Sequence, residues 1–181
     1  MGTTPTYSWP YPEATDPVAN GAQDIQDLAL AVESTVSGIT GGKILQVVTN
    51  TYATSTATTS TSYVDSGLDA TITPTSATST IVVQTFGRYS AYRLGVPAGL
   101  GLRLLRDATT LDTWPDLTYA DIGGIGLLVL QDGHSVVYED SPATTSAVTY
   151  KIQFNSVTSS CTATAQAGNT TSTMMLLEVS A

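Results

Sequence analysis

From Lys43 to Ala181 the chain is built of short runs of β-branched and aromatic residues, broken by Thr, Ser, Gly and Pro. That pattern limits what it can fold into more than any other feature. The run 146–156 is the sharpest case. Val148, Tyr150, Ile152 and Phe154 alternate with Thr149, Lys151, Gln153 and Asn155. A period of two sends alternate side chains to opposite faces, so this segment is a strand with one buried and one solvated face. β-Branched residues are stiff at χ1 and fit a pleated surface. Further strands are predicted at 43–53, 61–73, 80–90, 100–106, 125–131, 134–139, 160–166 and 172–180. Many short strands at regular spacing predict a mainly β fold over 43–181, an antiparallel β-sandwich of jelly-roll type. Asp132-Gly133, flanked by LLVLQ and HSVVY, predicts a two-residue hairpin turn. A second turn is predicted over 107–110. The stretch from about 107 to 124 has no regular period and reads as a long loop, a common site of binding surfaces.

Two predicted strands do not alternate. Leu127, Leu128, Val129 and Leu130 are consecutive, as are Met174, Met175, Leu176 and Leu177. The outer face of a two-layer sandwich is normally wet, so strands apolar on both faces predict a subunit interface outside the core.

Residues 20–37 carry the one helical pattern. Asn20 and Gln23 have the spacing of a capping box. Asp24 and Asp27 fall where the helix dipole favours acids, and Gly38 followed by Gly41-Gly42 ends the run. Ile25, Leu28, Val32 and Ile39, with Thr35 in the remaining slot, alternate three and four apart as in a coiled-coil seam. A helix of this length is marginal in water, and no Lys or Arg supplies i,i+4 ion pairs. The seam is too short for a stand-alone dimer, and it predicts a brief bundle of identical helices over 20–42. The alternative is one helix packed on its own β domain. Ahead of it, residues 1–19 hold Pro5, Pro10, Pro12 and Pro17 among Tyr7, Trp9 and Tyr11. Such a segment is expected to be extended. It reads either as a disordered tail or as a peptide docking through Tyr7, Trp9, Pro10 and Tyr11 into a partner's groove.

Composition excludes several functions. With 6 basic and 15 acidic residues the net charge is −9, which opposes phosphate neutralisation and hence nucleic-acid binding. No stretch is apolar enough for a membrane helix, and the first residues lack the basic and apolar regions of a secretory signal. Cys161 is the only cysteine and His134 the only histidine. That leaves no disulfide framework, no multi-cysteine zinc site, and no Ser-His-Asp triad away from His134. Asp65 with Asp69, or Asp112 with Asp116, could pair as glycosidase carboxylates, but they read more simply as turn and solubility residues. No P-loop, dinucleotide fingerprint or calcium loop is present. The expectation is no enzyme, no metal and no cofactor. His134 is expected to face solvent at a turn, and Cys161 to be a small half-buried residue. The aromatic and basic residues Arg88, Tyr89, Tyr92, Arg93, Trp114 and Tyr119 are the candidate recognition surface.

Several stretches resemble fibre and minor tail proteins of tailed bacteriophages. YPEATDPVANGAQDIQDLALAVEST is similar to their attachment segment and short helix. KILQVVTNTYATSTATTSTSYVDSGLDATITPTSATSTIVV resembles the start of a β head domain, as do LRLLRDATTL, DSPATTSAVTYKIQF and STMMLLEV. The resemblance covers nearly the whole chain. It implies a homotrimer in the virion, made in the host cytoplasm, with residues 1–20 attached to another phage structural protein. Residues 43–181 would then be a β head for host recognition, with a surface glycan as ligand. The trimer contacts implied are Ile25, Leu28, Val32, Ile39, Met174, Met175, Leu176 and Leu177. The short stem, without a shaft of repeats, fits a spike, a tail-tip appendage or a capsid decoration.

Overall fold

A computed structural model describes residues 2–38, 42–94, 97–121 and 126–181, and the chain divides into two units, Met1–Gly42 and Lys43–Ala181. In the first unit, β1 (Gly2–Thr3) pairs antiparallel with β2 (Pro10–Tyr11). The turn between them is closed by Thr4 N–H donating to the Trp9 carbonyl and Trp9 N–H donating to Thr4 Oγ1. Proline is tolerated in β2 because a two-stranded ribbon leaves one edge unpaired. A 3-10 turn at Val18–Asn20 leads into α1 (Gly21–Ser37). This corrects two expectations. Gly2–Thr3 and Pro10–Tyr11 are extended, as expected, but they pair with each other as a ribbon and are not a free tail. Asn20 makes no side-chain cap, since the 3-10 turn already holds it in helical conformation, and Gln23 donates instead to Asp27 Oδ1 at 2.7 Å.

The second unit is mainly β. Its strands are β3 (Ile44–Tyr52), β4 (Thr56–Thr58), β5 (Val64–Ile72), β6 (Thr80–Leu94), β7 (Ala98–Arg106), β8 (Thr109–Ala120), β9 (Leu127–Asp140), β10 (Val148–Ser156), β11 (Thr162–Ala165) and β12 (Ser172–Val179). The smaller sheet runs β5-β10-β7-β8. In the larger one the 15-residue β6 is the spine: β9 lies along one edge, and β12 then β11 share the other, extended by β3 and β4. Every described pairing is antiparallel. The inward residues of both sheets share one core. Leu68, Ile72, Leu102, Leu104, Ile152 and Phe154 come from the smaller sheet, and Ile81, Val83, Tyr89, Met174 and Leu176 from the larger. β10 buries the four residues expected from its alternation.

A buried polar clamp joins the layers. Asp140, at the end of β9, accepts from Arg106 Nη1 through both oxygens (2.8 and 2.7 Å) and from Tyr150 Oη at 2.7 Å. Burial and the neighbouring Asp140 carboxylate push the Tyr150 phenol well above its ordinary range.

Three strand expectations are corrected. Asp132-Gly133 is not a turn: it lies inside β9, with Gly133 opposite Arg88 and Asp132 opposite Tyr89. The uninterrupted pairing of β6 with β9 overrides the local turn preference, and the bare Gly133 lies under the Phe86 ring, where a Cβ would meet it at 3.5 Å. The residues 109–120 are not a loop but β8, an edge strand whose irregular register around Leu100–Leu102 accommodates Pro115. Asp107, at positive φ (52°), makes the tight turn from β7 into β8. Finally, β12 does alternate. Met174 and Leu176 are fully buried in the core of one chain and are unavailable to a partner, whereas Met175 and Leu177 lie on the other face.

Candidate functional site

In the first unit the ribbon and the helix meet through Trp9. Its indole Nε1–H donates to Thr35 Oγ1 at 2.9 Å, and Thr35 in turn donates to the Ala31 carbonyl. Tyr7 stacks on the Trp9 ring at 5.1 Å between centroids. Of the expected anchor residues, Trp9 is therefore committed to its own chain, Pro10 is half-buried in β2, and Tyr7 and Tyr11 remain exposed.

Trp9 also reassigns the helix seam. Thr35 is occupied from inside the unit, and Leu28, on the same side of the helix, is half-buried. Ile39 lies outside the described residues. What stays open is the neighbouring stripe Ala22, Ile25, Ala29 and Val36, with Val32 half-buried between the two stripes. Ile25 is 66% exposed and Val36 52%. Ala22, Ala29 and Val36 were missed because alanine is weakly apolar and a 3.6-residue period admits two adjacent seams; only the position of Trp9 chooses between them.

The candidate recognition residues do not form one surface. Tyr89 is buried in the core, where burial pushes its phenol well up. Arg93 donates through Nη1 to the Pro97 carbonyl (3.0 Å) and Thr158 Oγ1 (3.3 Å). Arg88 and Tyr92 lie on the opposite face of β6, with Arg88 donating to Gln131 at 2.7 Å. Trp114 and Tyr119 belong to β8 of the other sheet. Trp114 packs edge-on against His134 at 5.1 Å and is half-buried against the core, so it closes the side of the sandwich between β8 and β9; Tyr119 is exposed. The sequence places these residues near each other along the chain, but strand alternation sends neighbours to opposite faces.

His134 is likewise not at a turn. It is half-buried in mid-strand, its Nε2 has no hydrogen-bond partner among the described residues, and burial holds its pKa below the ordinary value against the opposing charge of Asp132. Cys161 is fully buried, with Sγ 3.5 Å from the Gly99 N and O. Asp65 faces solvent and is held below the usual carboxylate range first by the Gln153 amide and then, against some burial, by Lys151 at 3.1 Å. Asp112 and Asp116 lie on β8, not in a loop. Among the described residues no three His, Cys, Asp or Glu side chains gather as a metal site requires. No described helix is long and apolar enough to cross a membrane.

The two outer faces of the sandwich differ in kind. On the smaller sheet, polar side chains pair across strands: Thr71 with Thr149, Asp65 with Lys151 and Gln153, and Gln153 with Arg103, which also stacks over the Tyr63 ring. This face is wet. On the larger sheet, register aligns Val47 with Leu177 and Val82, and Thr49 with Met175, Gln84 and Val137; Thr51, Thr173, Phe86 and Ser135 make the next row. Glu139, opposite Val82, closes the first row at the edge strand β9, and Arg88 follows Phe86 on the same face of β6. Val47, Phe86 and Val137 are each more than half exposed, and Val137 reaches 68%. Phe86 projects between two shallow hollows. One of about 420 Å³ lies beside Gln84, Val137, Thr173 and Met175, and one of about 500 Å³ beside Arg88, Gln131, Asp132 and Thr170. Val47, Val82, Phe86 and Val137 were missed because a strand's apolar residue counts as core until its register shows which face it takes.

The chain matches no family model, and no curated protein matches it. Among solved structures it is similar to a chain from the structure of infectious bursal disease virus Gt strain, at 16% identity and a TM-score of 0.32. That match covers 77% of this chain and 39% of the other, so the chain spans about two-fifths of the length of the structure it matches.

Proposed function

We propose that the chain is a self-assembling structural protein of a bacteriophage virion: a short tail fibre, spike or minor tail protein that trimerises through α1. The observation that carries this reading is the open stripe Ala22, Ile25, Ala29 and Val36, bordered by the half-buried Val32, on a 17-residue helix without a basic residue. Leaving those side chains in water would cost burial energy that parallel copies of the same helix recover. The sequence resemblance to phage fibre proteins supports the virion location, and the exposed Tyr7 and Tyr11 support attachment of the first unit to another phage protein. On this reading the protein is not an enzyme and takes no cofactor, nucleic acid or membrane. The β unit is presented outward, where trimerisation would turn weak contacts of Arg88, Tyr92 or Tyr119 with a host glycan into avidity.

A second reading, capsid decoration without a receptor, is favoured by one observation: Tyr89, Arg93 and Trp114 are used internally, so the recognition cluster is dispersed. Immunogold microscopy of intact particles separates the two readings. Label at the tail supports the first and label over the capsid lattice the second. No label on purified particles overturns both. A Tyr7→Ala/Tyr11→Ala double variant that still incorporates fully removes the anchor assignment.

A further inference from the structure

The two faces of the same sandwich provide their own control. The smaller sheet follows the usual rule for a surface, with charged and hydroxyl pairs laid across its strands. The larger sheet breaks it, with Val47, Val82, Phe86, Val137, Met175 and Leu177 set among uncharged Thr, Ser and Gln. A monomeric protein rarely leaves so broad an apolar surface in water. We propose that the outer face of the larger sheet is a second surface through which copies of this chain meet, each seated against the next copy around the trimer. The inference rests on the self-assembly proposed above and names a second surface that carries it.

Three features favour a copy of the chain as the occupant. The first is charge. Two chains of net charge −9 repel, and they approach closely most readily through a surface poor in ionised groups; in the rows of Val47, Thr49 and Thr51 the outward positions of β3, β12 and β6 carry none, and Glu139 stands at the β9 edge. The second is extent. Four strands at about 4.8 Å spacing over about eight residues make roughly 500 Å² of flat area before the relief of the side chains is counted. A stable interface takes about 800 Å² per partner. The third is shape. Phe86 is a projecting ring with a hollow on either side of it, so one copy offers both the knob and the socket that another copy needs. Beyond Phe86, the Arg88–Gln131 pair separates this surface from the exposed Tyr92–Val129 and Leu94–Leu127 pairs.

The test uses the full chain. Since Cys161 is buried, a single introduced thiol reports its own surroundings. Val137→Cys on the proposed interface is compared with Thr71→Cys on the wet face of the other sheet, both reacted with a maleimide under native conditions. In one isolated chain both positions are exposed. In the assembly, Val137→Cys is expected to react roughly tenfold or more slower than Thr71→Cys, because an interface core excludes solvent. Val82→Glu/Leu177→Glu, which places two charges side by side on the face, is expected to lower the mass found by light scattering, while circular dichroism reports that it still folds. Equal rates for the Val137→Cys and Thr71→Cys thiols in assembled protein overturn this inference and leave assembly through α1 standing. A wild type that is monomeric at micromolar concentration overturns both.

Discussion

Glu178 offers the sharpest energetic test of the second unit. It lies near the end of β12, fully buried. Its Oε1 accepts from Thr75 N–H (2.7 Å) and Thr75 Oγ1 (2.8 Å), and its Oε2 from Gln46 Nε2 (2.6 Å). One carboxylate thus ties β12 to β3 and to the β5–β6 connection. Burial alone would raise its pKa, but the donors from Gln46 and Thr75 outweigh burial and hold it at about 2, against an ordinary 4.5. A folded-state pKa below the unfolded value means that the unfolded chain binds the proton more readily. The stabilisation is therefore fully present above about pH 4.5 and lost as pH falls toward 2. At about 1.4 kcal/mol per pH unit this is at most about 3.5 kcal/mol. In Glu178→Gln the charge-assisted bonds are gone and one amide hydrogen faces existing donors, so urea unfolding at pH 7 should show a loss of about 2–3 kcal/mol. The decisive quantity is the difference in stability between pH 7 and pH 2.5, which should shrink in the variant by about the same amount. Other acids, Asp65 among them, titrate in both proteins and cancel. Equal pH dependence in wild type and variant would refute the reasoning.

Thr35→Val removes the acceptor of the Trp9 indole and should loosen the ribbon by about 1 kcal/mol; faster amide exchange at Thr4 and Trp9 would register it, and unchanged protection would count against the Trp9 contact. Gly67 has φ +87°, and a Cβ there would strike the Tyr52 ring, so Gly67→Ala should lose more than about 1 kcal/mol in thermal unfolding; an unchanged midpoint contradicts that packing. Asp140→Ala leaves the Arg106 guanidinium and the buried Tyr150 hydroxyl without their acceptor and should cost about 3 kcal/mol, against about 1 kcal/mol for Tyr150→Phe. Similar losses for the two would show that the ion pair contributes little.

What was legible in the sequence follows from how local each signal is. β10 could be read because period-two alternation is a property of the strand itself, and α1 because a 3.6-residue period is equally local. The tight turn at Asp107 agreed with its turn chemistry. Asp132-Gly133 has the same chemistry, but 14 paired residues of β9 against β6 outweigh it. The run Met174–Leu177 correctly marked a strand apolar on both faces, yet it could not say which residues face inward; that follows from register against β3 and β6. Which helix stripe is taken up inside the unit is not a local property: Trp9, 26 residues before Thr35, occupies the Thr35 side. The recognition cluster failed because proximity along a strand is not proximity on a face.

The central claim is that these apolar surfaces are met by copies of the same chain. Light scattering on the purified full chain tests it most directly. The proposed trimer has about three times the 18.8 kDa chain mass at micromolar concentration; a single species of one chain mass would contradict it.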